Sequence, residues 1–278
     1  MTYETYSIRI PVEGSLKVYE KFMLQYSLVE ANRILLGMVE ENLTNCDINV
    51  FFEKLHGSFF NEYEELKVHH HEMGFQANFP QASESIGLCL DRIFSDLANP
   101  DSGVTQSNIL ESFINIYEFV QIYAVFEDAV KQAYLLCKLD SSCPNNIKEK
   151  SIIKDLKSFL DNKNCKDKFL EQIQKRSLLK TMDDIQNIWM YYTNIRHLYV
   201  HSAGIVTDKW KSNYKKLYGN LTSFIKNCNF LDIEGAFKEP DQIKTSKMLY
   251  LENKAVNFFR NYIVAIMESL YLSLMVKN

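Results

Sequence analysis

The sequence predicts an all-α fold. Apolar residues recur at intervals of three and four along most of the chain, which is the spacing of one face of an α-helix. The 278 residues include only nine glycines and five prolines, too few for the frequent turns of a sandwich or a barrel. Hydrophobic residues make up 46% of the chain, which is enough for a sizeable core and argues against disorder.

The first hundred residues are predicted to contain three helices, at 13–41, 50–68 and 83–98. The clearest break in the pattern is 99–103, with the sequence Asn-Pro-Asp-Ser-Gly, and we place a domain boundary there. The expected organisation is an N-terminal helical extension over 1–100, with a regulatory or partner-binding role, followed by a helical domain over 104–278.

The second region is predicted to contain six more helices. Asp183 is the candidate N-cap of the fourth of them, and Gly204 is its stop signal. Residues 230–234 and 247–251 are expected to form a short hairpin-like excursion. The six helices are expected at 108–137, 146–161, 165–180, 183–202, 208–228 and 251–275.

Charge is distributed unevenly around a net value of −4. Residues 1–145 carry nine Lys and Arg against 21 Asp and Glu, whereas 146–227 carry 16 against eight. A basic segment in an acidic chain either binds a polyanion or packs against the acidic part of its own protein, and the composition leaves both open. Acids are interspersed in the lysine run, so a solvated helix face is the default. The candidate RNA-binding residues are Lys175, Arg176, Lys180, Lys209 and Lys211.

No metal site and no cofactor is predicted. The six cysteines form no C-x-x-C pair and are expected to be reduced, and the histidine run 69–71 reads as a solvated helix end. The N-terminus carries acids and lacks the apolar region of a signal peptide. No run of 18 uncharged apolar residues occurs, so we expect a cytoplasmic protein without a membrane span.

Polar residues interrupt the apolar stripes of two predicted helices. On 183–202, Arg196 projects into the stripe, where a guanidinium is unfavourable unless it is paired or faces a wet cleft. His197 and His201 are four residues apart and share a neighbouring face. On 108–137, Glu127 lies at the margin of the stripe and is a candidate partner for the arginine.

The window 192–206 resembles the HEPN superfamily. Members of that superfamily share a four- or five-helix up-and-down bundle and an Arg-(Asn/Asp/His)-x-x-x-His motif. Arg196, His197 and His201 match the motif, and Gly204 follows it as in several branches. Further similar features are the aliphatic pair Ile205-Val206 and, upstream, Phe126-Glu127 before Lys131.

The resemblance covers about 104–278 and implies a HEPN-type bundle with metal-independent endoribonuclease activity. In that reaction the RNA 2′-hydroxyl attacks its own 3′-phosphate and leaves a 2′,3′-cyclic phosphate and a 5′-hydroxyl. His201 would transfer a proton and Arg196 would stabilise the charge on the phosphate, with His197 in a supporting role and Glu127 positioning the arginine.

The resemblance also implies partners. RNA is the expected substrate, and a homodimer would bring two motifs to one groove. The expected role is that of a prokaryotic toxin or antiphage defence effector, with an antitoxin or regulatory protein as a further partner. Many HEPN toxins carry a tyrosine two residues beyond the motif histidine, where this chain has Ala203, so control by adenylylation at that position is not expected.

Other interpretations stay open at this level. Arg196 could form a structural ion pair with Glu127 or Asp184, and His201 could interact only with the carbonyls at the end of its helix. His197 and His201 have the spacing of zinc ligands but no evident third ligand. The alternative to an enzyme is a non-catalytic HEPN-type module that binds a partner or a nucleotide, and a weaker one is a helical scaffold with an accidental resemblance.

Overall fold

The computed structural model describes residues 17–44, 103, 105–136, 151–229 and 233–275. These ranges contain α-helices and one short 3-10 helix, Pro240–Gln242, and no strand, which confirms the predicted all-α class for the described residues. The α-helices are α1 (Lys17–Thr44), α2 (Gln106–Leu136), α3 (Ile152–Asn162), α4 (Lys166–Arg176), α5 (Met182–Ser202), α6 (Asp208–Asn227) and α7 (Asn253–Met275).

One local prediction is wrong. The N-cap of α5 is Thr181, whose side chain accepts a hydrogen bond from the backbone N–H of Asp184 at 3.0 Å, and not Asp183. In the segment 247–251, Met248 forms an isolated antiparallel bridge with Ile205. The hairpin-like pairing with 230–234 stays a prediction, because 230–232 lie outside the described residues. The predicted helices at 50–68 and 83–98 lie outside the described residues.

The chain divides into two compact units, Met1–Arg33 with Ser112–Asn278, and Ile34–Glu111. In the second unit the start of α2 is capped locally, because Asn108 accepts a hydrogen bond from the backbone N–H of Thr105 and donates its own to the Thr105 hydroxyl, both at 3.2 Å. The predicted boundary between 1–100 and 104–278 stays a prediction, since most of 45–104 lies outside the described residues. Within α1, however, the residues up to Arg33 belong to the same unit as 112–278.

Aromatic side chains fill the core of the first unit. Tyr123 of α2 stacks on Trp189 of α5 with their rings 4.5 Å apart, and Tyr192 of α5 packs on Phe259 of α7 at 4.6 Å. All four side chains are fully buried. The apolar faces of α2, α5 and α7 therefore pack against one another. This packing fixes the orientation of α5 about its own axis.

A buried charge cluster joins α1, α2 and α7 within this unit. Arg260 is completely buried and forms ion pairs with Glu118 and, at 2.9 Å, with Glu30. Arg33 reaches the other oxygen of Glu118 at 2.7 Å and donates to Asn253 at 2.9 Å. Burial raises the pKa of the Glu118 carboxyl, while the two guanidiniums act in the opposite direction. This cluster was not predicted from the sequence.

One described segment, Asn108–Ala133 of α2, has the length and apolar composition of a membrane-spanning helix. Phe119, Ile122 and Tyr123 on this segment are fully buried in the core. The same segment carries Glu118 within the buried charge cluster.

Candidate functional site

The predicted motif lies at the C-terminal end of α5, where the backbone stops the helix abruptly. Ala203 adopts a left-handed conformation with φ of 45°, and Gly204 follows with φ of 81°. The N–H of Gly204 donates to the carbonyl of Leu198 at 3.2 Å, which satisfies one of the last free carbonyls of the helix. The stop predicted at Gly204 is confirmed, and it leaves the last turn of α5 close to the surface.

The chain that follows the motif is held by a backbone clasp, formed by residues 204–206 and 246–249. The N–H of Val206 donates to the carbonyl of Lys247 and the N–H of Leu249 to that of Gly204, both at 2.9 Å. Tyr199 adds a side-chain link, because its hydroxyl donates to the Leu249 carbonyl at 2.7 Å. The clasp fixes the backbone next to the last turn of α5.

Arg196 lies at the margin of the core and is partly exposed. Its guanidinium carbon is 5.0 Å from the centroid of the Tyr123 ring, a distance at which a cation is attracted to an aromatic face. Arg196 is therefore not sealed inside the core, which was the arrangement that would have excluded a site. Tyr123 was not among the site residues predicted from the sequence.

Each of the two carboxylates considered as partners of Arg196 makes a contact on its own helix. Glu127 forms an ion pair with Lys131, one turn further along α2. Asp184 caps the N-terminus of α5 by accepting the N–H of Thr181 at 2.9 Å. Asp184 also lies twelve residues before Arg196, about 18 Å along the helix axis, which is beyond the reach of the two side chains.

The two histidines of the motif lie together. The ring centroids of His197 and His201 are 5.6 Å apart and their planes are inclined at 77°. His201 is exposed and His197 is partly buried. Arg196 and His201 are five residues apart on the same helix, about 140° around its axis, so the length of the arginine side chain is needed for both to reach one phosphate.

The predicted RNA-binding residues fall into two groups. Lys175, Arg176 and Lys180 precede the N-terminus of α5, about 30 Å along the axis from His201. Arg176 is bound to Gln172 at 2.6 Å and paired with Glu268 at 3.4 Å, and Lys175 is paired with Glu171. These three residues therefore do not share a surface with the motif.

The second group begins α6, immediately after the motif. Lys209 is exposed, whereas Lys211 is partly buried and donates to the carbonyl of Ile243 at 2.5 Å. Trp210 and Asn213 hold this end of α6 against α5, because each donates to an oxygen of the buried Asn194, at 2.9 and 2.7 Å. Of the five predicted RNA contacts, Lys209 is the exposed one that lies next to the motif.

A groove of about 620 Å³ lies at the other end of α5. Arg176 and Leu179 line it on one side and Phe258 and Glu268 on the other. It contains none of the motif residues. Within the described ranges, no three His, Cys, Asp or Glu side chains are close enough together to hold a metal ion. The histidine run at 69–71 lies outside those ranges.

No protein-family model, curated protein or solved structure matches the chain. The relationship to the HEPN superfamily stays a prediction that depends on the motif and its position.

Proposed function

We propose that this protein is a metal-independent endoribonuclease of HEPN type, with its active site at the C-terminal end of α5. The observation that supports the proposal is the placement of Arg196 and His201. Both lie in the last two turns of one helix, the arginine partly exposed at the core margin and the histidine on the surface. A nuclease needs its cation and its proton carrier where a phosphodiester can approach, and this position meets that requirement.

Each residue has a defined part in the reaction. His201 accepts the proton of the RNA 2′-hydroxyl as its oxygen bonds to the adjacent phosphorus, and the bond to the 5′-oxygen breaks. The guanidinium of Arg196 binds two phosphate oxygens and stabilises the additional negative charge of the transition state. His197, next to His201, orients the imidazole or contacts the phosphate. The products are a 2′,3′-cyclic phosphate and a 5′-hydroxyl.

A single imidazole cannot both remove the proton from the nucleophile and protonate the leaving oxygen in one step. A homodimer that places two copies of the motif in one groove supplies the second histidine. Lys209, exposed at the start of α6, would contact the RNA backbone beside the motif. The biological role that fits this activity is a cytoplasmic toxin or antiphage effector controlled by a partner protein.

The test is cleavage of total RNA by the purified full-length chain in the presence of EDTA. We expect fragments that end in 2′,3′-cyclic phosphate, and a loss of at least about 100-fold in both Arg196→Ala and His201→Ala. Lys157→Ala is the matched control, because it removes an exposed positive charge from α3, outside the proposed site. Its rate should remain close to that of the wild type.

Two results would contradict the proposal. One is RNA that stays intact with the wild-type chain across several substrates. The other is cleavage that persists in both site variants, which would point to a contaminating nuclease. Intact RNA combined with tight RNA or nucleotide binding would favour the non-catalytic HEPN-type module.

A further inference from the structure

Two aromatic side chains of α2 are exposed on the surface. Phe113 is 41% exposed and Tyr117 is 45% exposed, whereas Phe119, Tyr123 and Phe126 of the same helix are fully buried. The two exposed rings are four residues apart, so they project from the same face of α2. Large apolar groups that are exposed side by side mark a surface that binds a ligand or a partner.

A short backbone segment places the two rings at the level of the motif. The Ser112 hydroxyl accepts the N–H of Leu251 at 2.7 Å, and the Asn115 amide donates to the Leu251 carbonyl at 2.9 Å. Two residues earlier, the Leu249 carbonyl accepts the Tyr199 hydroxyl at 2.7 Å. The first turns of α2, which carry the exposed rings, therefore lie beside the last turn of α5.

The two histidines of the motif project between α2 and α6. Arg196 contacts a ring of α2 on one side of α5, and Asn194 accepts a hydrogen bond from α6 on the other. At about 100° per residue, these two side chains are about 160° apart around the helix axis, and His197 and His201 project within that interval. The exposed face of α5 is therefore bordered by α2 on one side and by α6 on the other.

Lysine side chains continue this surface onto α6. Lys209, Asn213 and Lys216 are spaced by four and three residues, so they share one face of α6. Asn213 donates to Asn194 of α5 at 2.7 Å, so this face borders α5. Both lysines are exposed. The surface therefore has aromatic rings on α2, histidines on α5 and cations on α6, across two helix spacings or about 16–20 Å.

We propose that Phe113 and Tyr117 stack on the bases of single-stranded RNA while its phosphates lie against Lys209 and Lys216. This inference rests on the proposed function and names its substrate class. Every base has a flat face that can stack on an aromatic ring, and lysines attract phosphates whatever the sequence. In a duplex the base faces are already stacked, so a single strand is the form that fits. The lysines favour a polyanion as the occupant of this surface.

The affinity for a single-stranded RNA oligonucleotide tests the role of the rings. It is measured in the full-length chain with His201→Ala, so that cleavage does not interfere. In this background Tyr117→Leu should bind about tenfold more weakly, whereas Tyr117→Trp keeps a stacking ring and should bind within about threefold of the parent. The same oligonucleotide annealed to its complement should bind more weakly than the single strand, and Tyr117→Leu should leave the duplex affinity unchanged.

Inorganic polyphosphate separates stacking from charge, because it is a polyanion without bases. Tyr117→Leu and Phe113→Leu should leave its affinity unchanged, whereas Lys209→Ala should weaken the binding of both polyphosphate and RNA. Lys209→Ala should also lower the slope of log affinity against log salt by about 1, and Tyr117→Leu should not change that slope. Leu24→Ala is the matched control. It removes an apolar side chain that is 65% exposed on α1, and both affinities should stay at the parent values.

Three results overturn the inference. The first is a Tyr117→Leu chain that binds single-stranded RNA as tightly as its parent. The second is an equal loss of affinity for polyphosphate in the same variant. The third is unchanged RNA affinity while sedimentation velocity shows that Tyr117→Leu or Phe113→Leu dissociates an oligomer, because the surface then binds a second copy of the chain.

The proposed function is judged separately, from cleavage. A wild-type chain that cleaves no RNA but binds single strands through Tyr117 contradicts the proposed function and supports base stacking. A wild-type chain that cleaves RNA, with Tyr117→Leu equally active and equally tight in binding, supports the proposed function and overturns the stacking inference. A wild-type chain that neither binds nor cleaves single-stranded RNA overturns both.

Discussion

Arg260 of α7 and Glu118 of α2 form an ion pair whose side chains are 0% and 1% exposed. Both side chains are fully buried. If one of them were removed, water could not solvate the charge of the one that remains. Glu30 and Arg33 of α1 complete the cluster, so that two guanidiniums face two carboxylates. The cluster therefore ties the part of α1 up to Arg33 into the folded unit that contains the candidate site.

Arg260→Met should lower the free energy of unfolding by about 3–5 kcal/mol, because it removes one of the two guanidiniums that compensate the buried carboxylates. Urea denaturation measures the change. Lys254→Met is the control, since Lys254 pairs with Glu234 at 2.6 Å on the surface and its loss should change stability by about 0–1 kcal/mol. Equal effects of the two substitutions would show that the buried cluster contributes no more than a surface pair.

Trp189→Ala should lower the free energy of unfolding by about 3–5 kcal/mol, because the ring is fully buried between α2 and α5. Thermal unfolding followed by circular dichroism is the measurement. Trp189→Phe keeps an aromatic ring at the position, so its free energy of unfolding should fall less than that of Trp189→Ala. A loss below about 1 kcal/mol in the alanine variant would contradict the central position of this residue in the core.

His201→Ala should leave the melting temperature almost unchanged, within about 0.5 kcal/mol in stability, because the imidazole is exposed. The same variant should lose RNA cleavage, so activity and stability are expected to separate at this residue. If His201→Ala unfolds the protein, the histidine has a structural role and its assignment to the site is wrong.

Gly204→Ala should destabilise the protein by more than about 1 kcal/mol. Gly204 has φ of +81°, and an added Cβ would lie 3.1 Å from the Tyr199 ring and 3.3 Å from the Met248 side chain. Gly219→Ala is the matched control, because a Cβ there meets nothing within 4 Å and α6 gains helix propensity. Urea denaturation should show a lower free energy of unfolding for Gly204→Ala and a higher one for Gly219→Ala. A change of the same sign in both variants would contradict backbone strain at the end of α5.

The buried tyrosines predict a loss of stability at alkaline pH. Burial raises the pKa of Tyr192, Tyr199 and Tyr262 well above the ordinary value. The unfolded chain therefore loses these protons first. Their contribution to stability is fully present below a pH of about 10 and is lost as the pH rises towards the folded-state values.

Ultraviolet absorbance of tyrosinate, recorded together with circular dichroism, measures this effect. We expect a late rise in tyrosinate absorbance that coincides with the loss of helical signal. Complete ionisation of all tyrosines while the helical signal persists would contradict the burial of these three hydroxyls.

Local signals explain which parts of the fold were predictable. The end of α5 at Gly204 was predictable because a glycine after an apolar stripe is a signal contained in a few residues. The start of α5 was predicted at the wrong residue. Thr181 and Asp183 are both typical N-cap residues, and only the folded backbone shows which side chain caps the helix. The clasp between 204–206 and 246–249 was not predicted, because pairing between distant segments leaves no trace in local spacing.

The same distinction applies to the site. Arg196, His197 and His201 lie within six residues, so a sequence motif can identify them. Tyr123 lies on another helix, and only the packing of α2 on α5 brings it to the arginine. Glu127 forms an ion pair with Lys131 one turn away on α2, and its role beside Arg196 stays a prediction.

The clasp between 204–206 and 246–249 has a practical consequence for work with shortened chains. A fragment that ends before residue 244 would retain Arg196, His197 and His201. It would therefore contain the complete motif. It would lack the partner backbone that braces the turn after these residues. A fragment of that length that cleaves no RNA would have lost the backbone that supports this turn. Its inactivity would therefore give no information about the chemistry of the three side chains.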